Sequence, residues 1–111
     1  MLNYVNQTLE ILNKHSGGIT EFINETEYQF ALAFGLMQIG EQVSTGKISR
    51  EFQDEHSEIT WAKINGMRNI VVHTYEGIEY TDAWGTLNDS LPELRTQLTT
   101  LLQKEDPDFN D

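Results

Sequence analysis

A chain of 111 residues, 38% hydrophobic and 10% aromatic, can bury one real core and is too short for a second. Its 18 acidic against 7 basic residues give a formal net charge of −11. That opposes nucleic-acid binding through a broad basic face while allowing a small site where a few cations converge. There is no cysteine, which excludes disulfides and thiolate metal sites and makes a reducing cytoplasm the expected compartment.

In chain order, residues 1–15 read MLNYVNQTLEILNKH, without the cationic start and continuous apolar run of a signal peptide. Leu2, Val5, Leu9 and Leu12 follow three- and four-residue spacing, so this segment is expected as an amphipathic helix, stopped by Ser16-Gly17-Gly18. A short helical turn follows around Phe22 and Ile23. Residues 26–44 predict a long helix with two apolar sides. Tyr28, Leu32, Gly35, Leu36, Ile39 and Val43 form one side, and Phe30, Phe34 and Met37 form the other. Such a helix is buried on both, either centrally in a bundle or at a subunit contact. On that reading Phe30 and Phe34, like Trp61 and Trp84, are expected as core.

Gly46 ends that helix, and residues 48–55 predict a shorter one. Thr60 suits the N-cap of a third long helix with Trp61, Ile64, Met67 and Val71 at helical spacing. The run Ile70-Val71-Val72 would also suit a strand, but no second strand candidate exists to pair with it. A last helix from position 81 or 82 carries Trp84, Leu87, Leu91, Leu94, Leu98 and Leu101. Ser90 and Glu93 match a capping box with Pro92 between them, predicting a kink or restart there. The expected architecture is an all-α bundle of four to five helices. Residues 1–104 form a single domain and 105–111 an acidic, frayed tail. No apolar run approaches the ~18 residues that cross a bilayer, so no membrane is expected as a partner.

The chemistry concentrates in GMRNIVVHTYEG, residues 66–77. At about 100° per residue, Gly66, Asn69 and His73 share one helical face, Arg68 and Tyr75 another, and Met67 and Val71 an apolar one. Arg68 and His73 stand about 140° apart, so one regular helix cannot aim both squarely at one phosphate. Either the helix ends near His73, or a second copy of the motif completes the site. A glycine inside a helix costs roughly 1 kcal/mol against alanine, so Gly66 suggests close approach by another backbone or a ligand. Together with the two-sided helix, it points to a homodimer. The residue types suit phosphodiester cleavage without metal or cofactor. Imidazole would move protons, guanidinium would hold phosphate charge, Asn69 would orient His73, and Tyr75 would position a phosphate oxygen. By spacing alone a plainer reading stays open, a polar helix end with His73 bonded to a backbone carbonyl. Neither His15, His56 nor His73 has a glutamate three residues before it, so no di-metal helix pattern is present. Glu41, inside an apolar helix, is either a simple surface carboxylate or a positioner of Arg68.

At these residues the sequence resembles the HEPN superfamily and its HepT-like toxin branch. Arg68-Asn69-Ile70-Val71-Val72-His73-Thr74-Tyr75 matches the branch's motif in full. Met37-Gln38-Ile39-Gly40-Glu41, Trp61-Ala62-Lys63-Ile64-Asn65-Gly66-Met67, Trp84 and Asp89-Ser90-Leu91-Pro92-Glu93-Leu94 are similar to its surroundings. The resemblance implies an α-helical, homodimeric endoribonuclease acting on RNA rather than DNA, with Arg68 and His73 catalytic and Asn69 supporting. It also implies a nucleotidyltransferase antitoxin that transfers AMP to Tyr75, adding bulk and negative charge near Arg68. The acidity keeps a second reading beside it: a non-catalytic helical dimer whose role is to be bound and modified by that partner.

Overall fold

Leucine and valine at helical spacing bury one side of α1 (Leu2–Asn13), where Val5, Leu9 and Leu12 are almost fully enclosed. The chain continues through α2 (Gly18–Asn24), α3 (Thr26–Ser44), α4 (Arg50–Glu55), α5 (Trp61–Asn65), α6 (Met67–Tyr75) and α7 (Tyr80–Gly85). A π-helical segment (Thr86–Ser90) then leads into α8 (Leu91–Glu105). The computed structural model describes residues 1–75 and 80–105, with side chains for 1–71 and 81–105. The tail at 106–111 lies outside them. All regular structure among the described residues is helical, as expected. None of these helices is long and apolar enough to cross a membrane.

The bundle is organised around α3, which packs on α1, α2, α5 and α6, while α8 closes against α1 and the π-helical segment. Leu32, Leu36 and Ile39 of α3 meet Ile64, Met67 and Val71 from one side and the α1 stripe from the other. Leu87, Leu91, Leu94, Leu98 and Leu101 complete the core. Each such side chain contributes about 1.5–3 kcal/mol on burial.

α3 comes this near its neighbours because two of its residues lack a Cβ. A methyl group added at Gly35 would stand 2.9 Å from Cγ2 and 3.0 Å from Cβ of Thr8 on α1, and closer still to its Oγ1. Thr8 Oγ1 is itself committed to the Tyr4 carbonyl at 2.6 Å. At Gly40 the added atom would lie 3.0 Å from the Arg68 backbone nitrogen and 3.2 Å from the Ile64 carbonyl oxygen.

The structure corrects three expectations. The third long helix is divided at Gly66, which takes φ −72°, ψ −12° and joins α5 to α6. Helical bonding still runs through the junction, from Gly66 N–H to Ala62 O and from Ile70 N–H to Gly66 O. Second, no capping box forms at Ser90, because the chain is already helical before it and leaves no free first turn to cap. Pro92, which has no N–H and crowds the preceding turn, is instead accommodated by the wider π turn, in which Leu91 N–H bonds Thr86 O. Third, Phe30 and Phe34 are not core: they are 50% and 61% exposed, while Met37, the third residue of that side, packs partly buried against the core. Trp61 and Trp84 are only half-buried.

The α1–α2 corner turns at Gly18, whose φ of +66° favours glycine. It is latched by Glu21, whose carboxylate takes His15 Nδ1–H at 2.6 Å and Gly17 N–H at 3.0 Å. The His15 ring stacks on Tyr28 at 3.9 Å. The His15 bond, then the Gly17 bond, hold the Glu21 carboxyl below the ordinary glutamate range. A depressed folded-state value stabilises the fold above that ordinary range, and the contribution is lost as pH falls through the folded value. The melting-temperature difference between wild type and Glu21→Gln, followed by circular dichroism from neutral pH downward, is therefore expected to shrink below the ordinary glutamate range. A difference independent of pH would refute the latch.

Candidate active site

Arg68 is placed by backbone packing. Because Gly40 brings α3 against the start of α6, the residue after it, Glu41, reaches the guanidinium, with Oε1 4.0 Å from Arg68 Nε. The Arg68 side chain is 50% exposed and Glu41 30%, so the pair adds no more than about 1 kcal/mol of stability. Glu41 engages only the Nε side, leaving the Nη donors for an anion, and guanidinium geometry suits bidentate phosphate binding.

Asn69, exposed, follows on the same helix, and α6 continues through positions 73 and 75. The side chains of His73 and Tyr75 lie outside the described residues. On α-helical backbone, positions 68 and 73 are separated by about 140° around the axis and about 7.5 Å along it. α6 runs from Met67 to Tyr75, so positions 68 and 73 lie on one helix whose described end is two residues past position 73.

Gly66 does not make the tight approach expected of it within one chain. A Cβ there would meet only the Ala62 and Lys63 carbonyl oxygens, both at 3.5 Å, an ordinary contact. It opens instead on a groove of about 300 Å³ between the α5–α6 junction and the π-helical segment, lined by Lys63, Ile70, Thr86 and Ser90 among others. The tight glycine is Gly40, which the sequence reading passed over. Its signal was present: a glycine beside Ile39 in the buried stripe, to which the reasoning about Gly66 applied equally.

The two other histidines have carboxylate partners. His15 pairs with Glu21, and His56 stands between Glu58 at Nδ1 and Glu105 at Nε2, each at 3.4 Å. Among the described residues no group of three His, Asp or Glu side chains could hold a metal ion.

Residues 1–101 match the family model of HepT-like ribonucleases. A candidate RNase of Caldanaerobacter subterraneus subsp. tengcongensis is 34% identical over 94% of this chain and 93% of its own length. A candidate RNase of Methanocaldococcus jannaschii is 30% identical over 70% of each chain. A "Probable ribonuclease HepT" of Thermococcus cleftensis is 26% identical over 90% of this chain and 91% of its own. No solved structure gives a significant match. With nine-tenths of its length matched and its motif arginine set against Glu41 at the α3–α6 crossing, the chain belongs to the HepT-like ribonuclease family.

Proposed function

We propose that the chain is the toxin of a toxin–antitoxin pair, a metal-independent endoribonuclease whose site is shared between two copies. The observation that carries this is Arg68, a half-exposed cation oriented by Glu41 on the same helix as position 73 but on another side of it. One copy presents the arginine and the second copy's motif helix supplies the histidine. Two further features support the pairing: the outward Phe30 and Phe34 of α3, and the groove at Gly66, where a neighbouring helix could lie close.

In the reaction, neutral His73 takes the proton of a ribose 2′-OH, and the freed oxygen attacks the adjacent phosphorus. Arg68 holds the charge of the five-coordinate intermediate. A proton returns to the departing 5′-oxygen, so a 2′,3′-cyclic phosphate and a 5′-hydroxyl end result. Asn69 orients His73 one turn away, and Tyr75 positions a phosphate oxygen. Transfer of AMP from a nucleotidyltransferase antitoxin to the Tyr75 hydroxyl, releasing pyrophosphate from ATP, places a phosphodiester near Arg68 and shuts the site by bulk and repulsion.

The test uses purified protein, total RNA and excess chelator. Chelator-resistant cleavage yielding cyclic phosphate ends is expected, and cleavage that stops in chelator would overturn metal independence. With a nucleotidyltransferase and ATP, mass spectrometry should show an AMP-sized gain that Tyr75→Phe abolishes. AMP uptake without cleavage by the unmodified protein would favour the non-catalytic reading, which the net charge of −11 also suits.

A further inference from the structure

A cleft of about 740 Å³, which the reaction above leaves unused, lies between the C-terminal turn of α3 and the α4–α5 corner. One wall carries Trp61, whose indole Nε1–H is held by the carbonyls of Gln53 at 3.1 Å and His56 at 2.9 Å, with Phe52 edge-on at 6.2 Å. The ring is thus fixed before any ligand arrives. One turn along α5 from Trp61, Asn65 meets Ser44 of α3: Ser44 Oγ lies 2.5 Å from Asn65 Oδ1 and 3.1 Å from the Gly40 carbonyl oxygen. One hydroxyl proton cannot serve both acceptors. Either Ser44 donates to Asn65 and the amide NH2 is unspent, or the amide is turned, its NH2 donates to Ser44, and the carbonyl oxygen is unspent. In both cases Asn65 keeps a free hydrogen-bonding end. At the rim stand Arg50, 88% exposed, and Asp54, 3.9 Å from it.

The cleft adjoins the proposed active site along the chain. Asn65 precedes Arg68 by three residues, about 4.5 Å along a helix. Ser44 follows Gly40 by one turn, and Gly40 is the residue packed on the Arg68 backbone. One nucleotide therefore spans the step from a phosphate at Arg68 into the cleft.

We propose that this cleft is a nucleoside subsite, taking the base and ribose of the nucleotide next to the scissile phosphate in single-stranded RNA. The proposal rests on the ribonuclease reading above. Unstacked bases are recognised by an aromatic wall together with amide donors and acceptors on the base edge, and Trp61 and Asn65 supply these. Arg50 takes the phosphate beyond the nucleoside, while the Asp54 carboxylate accepts from a hydroxyl or exocyclic amine. Arg50 at the rim of the cleft and Arg68 in the proposed site would let so acidic a chain hold RNA through a narrow site rather than a basic face.

The experiment has two arms. In the first, His73→Ala protein, unable to cut, is titrated into a fluorescein-labelled single-stranded oligoribonucleotide and followed by anisotropy. Adding Arg50→Ala should weaken binding about fivefold and lower the salt slope by about 0.7, the loss of one phosphate contact on a single strand. In the second, Asn65→Ala in the active protein should raise KM more than it lowers kcat and change which base flanks the cut. A structural defect would not shift that preference. Both residues are exposed, and a melting temperature measured for each variant separates any loss of the Ser44–Asn65 bond from an effect on binding. Affinity and cleavage positions unchanged in both variants, with His73-dependent cutting intact, overturn the subsite and leave the ribonuclease reading standing. Absence of any cutting overturns the ribonuclease reading, and the anisotropy arm then decides the subsite alone: wild-type-like binding by Arg50→Ala, or no binding at all, overturns it.

Discussion

Alanine at position 73 is expected to lower the rate of RNA cleavage by about 10²–10⁴-fold, the usual contribution of a positioned proton-transfer group. Arg68→Ala is expected to cost about 10²–10³-fold, because it removes the charge opposite the intermediate. Since positions 68 and 73 face different ways on α6, the more informative result comes from mixing the two inactive proteins. If each site takes its arginine from one copy and its histidine from the other, a mixed dimer holds one site with both residues and one with neither. Random re-pairing makes about half the dimers mixed, so activity should return to roughly a quarter of wild type. Steady-state cleavage after brief unfolding and refolding of the mixture measures this. No recovery, with mixed dimers present by native mass spectrometry, would exclude a site composed in that way. On the proposed reading, in which Glu41 acts through Arg68 from 4.0 Å, Glu41→Gln should keep part of the activity.

The second large effect concerns stability. Gly35→Ala is expected to destabilise the chain by about 1–2 kcal/mol. Overpacking costs about 1–3 kcal/mol, and replacing glycine in a helix returns up to about 1 kcal/mol. The new methyl meets the β-branched Thr8, held in its rotamer by the bond to the Tyr4 carbonyl, so relief requires α1 itself to move away. For a chain of this size the melting temperature should fall by several degrees. Combining the change with Thr8→Ala should recover part of the loss, and chemical denaturation of all four proteins gives the coupling. Additive losses would mean that Thr8 is not the obstacle. Gly40→Ala presses on backbone atoms of Ile64 and Arg68 at 3.0–3.2 Å instead. It should therefore displace the start of α6 and depress cleavage beyond its effect on folding.

Much of the bundle was legible beforehand, because amphipathic spacing is a local property. Val5, Leu9 and Leu12, the α3 stripe, and Ile64, Met67 and Val71 lie in the core where their periodicity placed them. Less legible was whatever depends on which surface meets which. Phe30 and Phe34 follow helical spacing as regularly as Leu32 and Leu36 do, yet they are 50% and 61% exposed, since α1, α2, α5 and α6 pack on the other sides of α3. Likewise Ser90-Leu91-Pro92-Glu93 carries the residues of a helix start, but α7 and the π turn arrive already wound, so the cap has nothing to satisfy.

By itself, the order of residues determined an all-helical chain, the positions of its apolar faces, and the angular separation of Arg68 from His73, because these follow from residue spacing and the pitch of a helix. Only the tertiary structure decided that Gly40 rather than Gly66 is the tight crossing, that Glu41 reaches Arg68, and that Trp61, Asn65 and Arg50 surround one cleft. Those facts depend on which backbones approach within contact distance. That distance is set by the absence of side-chain atoms on α3 and by the packing of α1, α5 and α6 around it.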